Sequence, residues 1–258
     1  MTSLLSDPLF YAVCIPAVIL VGLSKGGLGG AMGFVGVPLM ALIMPPVQAA
    51  AILLPILLLM DVVSLWTWRG VYDGPLLRSF LPGAIVGLGL GWLMAALVTA
   101  SMIRFMVGVI AAIFVGQWLV MIVRDKVIVP AKPNALLATL WSTVSGFTSF
   151  IAHVGGPPFQ VYAMPLRLDP KVFTGTSVIL FAVMNVIKVV PYFMLGELDR
   201  GNLLAAAVLL PVAPLATLAG AWGVRRMRPN FFYNFSYVTV GLIALKLLYD
   251  GAVQFLGG

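Results

Sequence analysis

The sequence predicts an all-α polytopic membrane protein built from two inverted repeats. Each repeat is a broken helical unit followed by three transmembrane helices, giving about 8–10 membrane segments. Three observations carry this. Of the 258 residues, 62% are hydrophobic and 9% charged, and the mean hydropathy is +1.10; soluble domains do not have this composition. Apolar runs near the length needed to cross a bilayer, about 20 residues each, recur from end to end. They are continuous, not alternating, which excludes a β-barrel. Two glycine-rich interruptions fall about half a chain apart, at 24–33 and 152–160.

The first helix is expected over about 8–24 and stops at Ser24-Lys25-Gly26-Gly27-Leu28-Gly29-Gly30-Ala31-Met32-Gly33. Glycines placed this densely unwind a helix, because glycine loses the most backbone freedom on becoming helical. A short apolar piece over 31–44 contains Pro38 and ends at Pro45-Pro46. A full span follows over about 47–68, with Asp61 inside it and Trp66, Trp68 and Arg69 at its end, residues suited to a membrane interface. The next span, about 76–98, carries Gly83, Gly87 and Gly91; spacing of four lets helices approach closely. A turn near Ser101–Arg104 leads to a span ending near Val123, and the most polar linker follows, from Arg124 to Pro133.

The second half repeats the plan. An apolar run from Asn134 to Ile151 meets Ala152-His153-Val154-Gly155-Gly156-Pro157-Pro158-Phe159-Gln160. Further spans are expected over about 172–195, with Asn185 and Lys188, then 202–222 and 231–250. Leu59-Met60-Asp61-Val62-Val63 aligns with Val183-Met184-Asn185-Val186-Ile187, and Leu81-Pro82 with Leu210-Pro211. This divides the chain into a first repeat (1–125), a cytoplasmic linker (126–133) and a second repeat (134–258). Placing the basic loops 124–133 and 223–230 in the cytoplasm puts Arg69 and Arg78 on the same side and both termini outside. The odd number of crossings per half then inverts the second repeat.

Lys and Arg exceed Asp and Glu by 15 to 8. In a chain this apolar the excess marks cytoplasmic loops, and no nucleic-acid partner is expected. The single Cys14 cannot form an internal disulfide. The first eight residues lack Lys and Arg, so the first helix is expected to stay as a span and not to be cleaved as a signal peptide. No enzyme class fits. One His and one Cys far apart make no nucleophile–base arrangement, the 13 Met do not cluster as copper ligands, and the glycine run lacks the Lys-Ser/Thr ending of a phosphate loop. No catalytic residue, metal or cofactor is expected.

Paired helix breaks at corresponding places point to a transporter's binding site. Unwound backbone at membrane depth needs protein or a water-filled cavity around it, and its amides and the following helix N-terminus can face an anion. The expected substrate-binding residues are therefore Lys25, Gly26, Gly27, Gly29, Gly30, His153, Gly155, Gly156, Gln160 and Tyr162. Lys25 either meets the anion or snorkels to the surface; His153 either donates to the anion, carries a proton, or is structural. Asp61, Asn185 and Lys188 are candidates for coupling or a vestibule. With helix midpoints level, Asp61 and Lys188 differ in height by roughly 12 Å. That places Asp61 toward the cytoplasm, and Lys188 either in an outer vestibule or snorkelling.

The pattern Gly22-Leu23-Ser24-Lys25-Gly26-Gly27 … Gly36-Val37-Pro38-Leu39, with His153-Val154-Gly155-Gly156-Pro157-Pro158-Phe159-Gln160-Val161-Tyr162 and Gly175-Thr176-Ser177, resembles the TauE/SafE family of membrane transporters. The resemblance covers nearly the whole chain. It implies an exporter of sulfite, an organosulfonate or a related sulfur-containing anion in the bacterial inner membrane. Many members have a denser first glycine run followed by Pro, where this chain has Lys25 ahead and Leu28 inside. The expected partners are a small anion, the lipid bilayer, and protons if transport is proton-coupled. A membrane assembly partner that transports nothing is the alternative from another class, as is a transporter of an unrelated small anion.

Overall fold

The computed structural model describes residues 5–27, 33–95 and 130–238, with isolated positions between 97 and 119. Outside the described residues lie Gly29, Gly30 and the rest of 28–32, most of the span expected before Val123, the linker over 124–129, and the last span beyond 238. Among the described residues all regular structure is helical. Among the described residues five helices are long and apolar enough to cross a membrane, or six with one bent pair counted as a single span.

Helix α1 (Pro8–Gly26) starts where the Asp7 carboxylate accepts the Leu9 amide at 2.9 Å and Pro8 presets the first turn. It ends two residues beyond the expected stop. A 3-10 turn (Gly33–Val35) and a five-residue α2 (Gly36–Met40) follow. Pro46 then opens α3 (Pro46–Thr67), and α4 spans Gly74–Met94. In the second half Asn134 caps α5 (Ala135–Ala152) by accepting the Leu137 amide at 3.1 Å. His153 stops α5 in the left-handed region with φ 55°. Short α6 (Gly156–Ala163), a 3-10 turn (Met164–Leu166) and the Pro-initiated α7 (Pro170–Met194) come next. Both halves thus run through a long helix, a break, a short helix and a Pro-initiated span. Asp199 caps α8 (Arg200–Leu209), and α8 meets α9 (Val212–Arg226) at a 49° bend beside Pro211, as expected where proline removes a helical donor. Residues 229–238 form α10.

The chain packs as two compact units, Met1–Gly74 with Lys171–Arg226, and Pro75–Pro170 with Met227–Gly258. Each unit draws on both halves of the sequence. In the first, α1 lies along α9: a Cβ on Gly26 would collide with the Thr217 carbonyl, and one on Gly220 with the Leu23 carbonyl. In the second, α4 lies along α5: a Cβ on Gly87 would strike the Thr143 carbonyl, and one on Gly146 the Ala84 carbonyl. Gly83, Gly87 and Gly91 of α4 therefore serve close helix packing, as their spacing of four predicts.

Gly146→Ala is expected to cost about 1–3 kcal/mol through overpacking, lowering the unfolding midpoint in detergent by several degrees. Gly89→Ala, in the same pair of helices but with nothing within 4 Å of a new Cβ, is expected to hold or raise it. Thermal unfolding of the two variants side by side checks this.

Candidate functional site

A helix leaves its last four carbonyls without intrahelical partners. At the end of α1 these groups are buried, so side chains take the place of water. Ser64 Oγ donates to the Lys25 carbonyl at 3.2 Å, Trp68 Nε1 to the Gly26 carbonyl at 2.6 Å, and Thr174 Oγ1 to the Gly27 carbonyl at 3.0 Å. The amide of Gly27 donates to the Ser24 carbonyl, and that of Gly33 to Ser24 Oγ at 2.9 Å. Gly26 and Gly27 were expected to line the substrate site. They are glycine because α9 leaves no room for a side chain: at Gly27 a Cβ would meet Val224 at 2.6 Å. The Gly27 amide donates within the chain, to the Ser24 carbonyl.

Within the first unit the charged groups of three helices converge. Lys25 Nζ, in the last turn of α1, forms an ion pair with Asp61 Oδ1 on α3. Asn185 Nδ2, on α7, donates to Asp61 Oδ2 at 2.6 Å. The Lys25 ammonium also lies 5.6 Å from the centroid of the Phe181 ring, within range of a cation–π attraction. Lys188 is 0% exposed and stands close enough to Lys25 and Asp61 to interact with both charges. Phe181, Asn185 and Lys188 follow at i, i+4 and i+7, one stripe of α7. Two lysine side chains therefore share one carboxylate in a buried setting.

This corrects the expected separation of Asp61 and Lys188. Level midpoints do not hold: Gly175 packs against the Val71 carbonyl and Thr176 Oγ1 accepts the Asp73 amide at 2.8 Å, so α7 begins beyond the end of α3. The shift, roughly one and a half turns, brings Asn185 level with Asp61. Lys188 is fully enclosed, and Asp61 is paired with Lys25 and Asn185.

In the second unit the break at His153 is closed in the same manner. Thr148 Oγ1 donates to the Val154 carbonyl at 3.0 Å and Ser145 Oγ to the Gly155 carbonyl at 2.7 Å. Gly155 caps α6 and Gly156 begins it, and Pro157 and Pro158 supply no N–H to the first turn. Gln160 is fully buried on α6. Tyr162 ties α6 to the start of α5: its hydroxyl accepts the Asn134 amide and donates to the Asn134 carbonyl, both at 3.3 Å. The Tyr162 hydroxyl is thus engaged with backbone. His153 is part-buried at the α5 cap. Lys25 and His153 belong to different units.

Sequence reasoning missed Ser64, Trp68, Thr174 and Phe181. Two signals were present. Asp61, Ser64 and Trp68 recur at i, i+3 and i+7, a polar stripe along an apolar helix. The motif match also aligned Asp61 with Asn185, the two residues now found hydrogen-bonded.

Asp61→Ala leaves two lysines facing each other and is expected to cost about 3–5 kcal/mol. Lys25→Met, which leaves Asp61 with Asn185 and Lys188 beside it, is expected to cost less, and the double variant to recover part of the Asp61→Ala loss. Unfolding of the three variants in detergent measures this. Trp68→Phe keeps the ring but strands the Gly26 carbonyl, and the same assay is expected to show a loss of about 1–3 kcal/mol.

No curated protein and no solved structure matches the chain. The profile described as "Sulfite exporter TauE/SafE" matches residues 14–247, nearly its whole length. Together with the apolar helices, this makes the protein a multi-pass membrane protein of a transporter family: the chain belongs to the sulfite exporter TauE/SafE family.

Proposed function

We propose that the protein is a secondary transporter of the bacterial inner membrane that exports a small sulfur-containing anion, sulfite or an organosulfonate. The observation that carries this is the buried cluster of Lys25, Asp61, Asn185 and Lys188. It sets two lysines against one carboxylate, so protonating both leaves one positive charge for an anion to balance. An uncompensated charge in a low-dielectric interior costs several kcal/mol, and a bound monoanion removes that cost. The substrate's charge is then met by ammonium groups, with the Asn185 amide as a neutral donor. His153, Gln160 and the amides of Gly155 and Gly156 are the candidate contacts at the second break.

Alternating access by two inverted repeats is the mechanism proposed. Supporting it are the shared order of elements, the hydrogen bond between the aligned Asp61 and Asn185, and the exchange of helices between halves in each unit. The repeat boundaries at 125 and 134 are part of this reading. Proton coupling runs through Asp61 or His153: protonating Asp61 releases Lys25 for the anion. Unchanged pH dependence of flux after neutral replacement of both residues rules the coupling out.

Thermal stability of the detergent-purified protein against sulfite, sulfate, taurine, sulfoacetate and chloride tests the site. Binding to the folded state alone raises the midpoint by mass action. The expected result is a rise with sulfite or one sulfonate that Lys25→Ala and Lys188→Met both abolish. A rise that survives both substitutions overturns the cluster as the site. No rise with any anion favours a membrane partner that transports nothing.

A further inference from the structure

At the ends of α3 and α9, away from the charged cluster, the first unit holds a cleft of about 450 Å³. Its walls include Trp66, Arg69, Leu218, Trp222, Arg225 and Arg226, and no acidic residue lines it. We propose that this cleft binds the phosphate headgroup of an anionic phospholipid.

Charge complementarity is the first argument. Three guanidiniums gather here, and among the described residues none has a carboxylate partner. Arg225 Nη2 donates to the Thr67 carbonyl at 2.6 Å, with its guanidinium 5.3 Å from the Trp68 ring. Arg226 stacks on Trp222 at 4.1 Å and donates to the Trp222 carbonyl at 3.4 Å. These contacts fix the planes of both side chains while engaging one of the five donors on each. A guanidinium held by stacking presents its remaining N–H groups as a fork, the geometry that phosphate accepts in pairs.

The second argument is position. Trp66 and Trp222 are 67% and 62% exposed at the ends of their helices, where amphipathic rings sit at the level of headgroups. Going back along the same two helices, Val62, Leu215 and Leu218 are exposed as well. The site is therefore basic at its end and apolar along its length, a shape that takes a headgroup and its acyl chains together; a soluble phosphate uses only the basic end. Basic pockets between helices on the cytoplasmic side bind anionic headgroups in this way.

The test is the unfolding temperature in detergent with phosphatidylglycerol, phosphatidylcholine or inorganic phosphate added, for the parent protein and for Arg69→Gln/Arg226→Gln. Arg225 is left in place because it holds the Thr67 carbonyl. Phosphatidylglycerol at about a hundred times its Kd is expected to raise the midpoint by about 5–10 °C, phosphatidylcholine and phosphate to leave it unchanged, and the double variant to lose the rise while keeping the parent's midpoint without lipid. An equal rise with phosphatidylcholine, or a rise retained in the double variant, overturns the site. A rise reproduced by inorganic phosphate alone makes it a soluble oxyanion site and overturns the lipid. A double variant whose lipid-free midpoint falls is replaced by Arg69→Lys/Arg226→Lys, which keeps the charge and loses the fork: a retained full rise with it overturns the paired-donor geometry. None of these outcomes bears on anion binding at Lys25 and Lys188.

Discussion

A helix that stops among apolar neighbours leaves carbonyls that water cannot reach, and the first unit depends on how that demand is met. Three consecutive carbonyls at the end of α1 are met by Ser64, Trp68 and Thr174. Those donors come from the end of α3 and the start of α7, so satisfying the break fixes the register of both helices against α1. The register then decides the electrostatics. With α3 and α7 held at that height, Asp61 faces Lys25 and Asn185 together, and Lys188 follows within reach of the same charges. Gly26 and Gly27 let α9 close over the back of the break, where any side chain would hit its backbone or Val224.

The second unit meets the same demand with hydroxyls of a single helix. Ser145 and Thr148 of α5 turn back onto the carbonyls of Val154 and Gly155, and Tyr162 secures the returning α6 at Asn134. One break is thus held from outside by two other helices and carries charge, whereas the other is held by its own helix and carries a histidine cap. In the proposed transport cycle this difference matters: opening the first break disturbs a charged cluster, and opening the second disturbs the hydrogen bonds of Ser145 and Thr148.

Much of the fold was legible because its signals are local. The apolar runs, the prolines at 45–46 and the glycine breaks are read from neighbouring residues alone, and α1, α3, α4, α5 and α7 stand close to where the sequence puts them. The site was legible only as an inventory. Lys25, Asp61, Asn185 and Lys188 were each singled out, but their assembly depends on the relative height of α3 and α7, which Gly175 and Thr176 set through contacts with residues 71 and 73. No periodicity encodes such a register. At Gly26 and Gly27 the close approach of α9 leaves no room for a side chain, a constraint that no local pattern displays.

Selenite is a heavier analogue of sulfite, and its anomalous scattering in crystals of the detergent-purified protein locates the anion directly. The account predicts a peak within hydrogen-bonding distance of Lys25 Nζ or Lys188 Nζ, with the Lys25–Asp61 pair opened to admit it. A peak confined to the glycine amides of either break, with the ion pair intact, would contradict it.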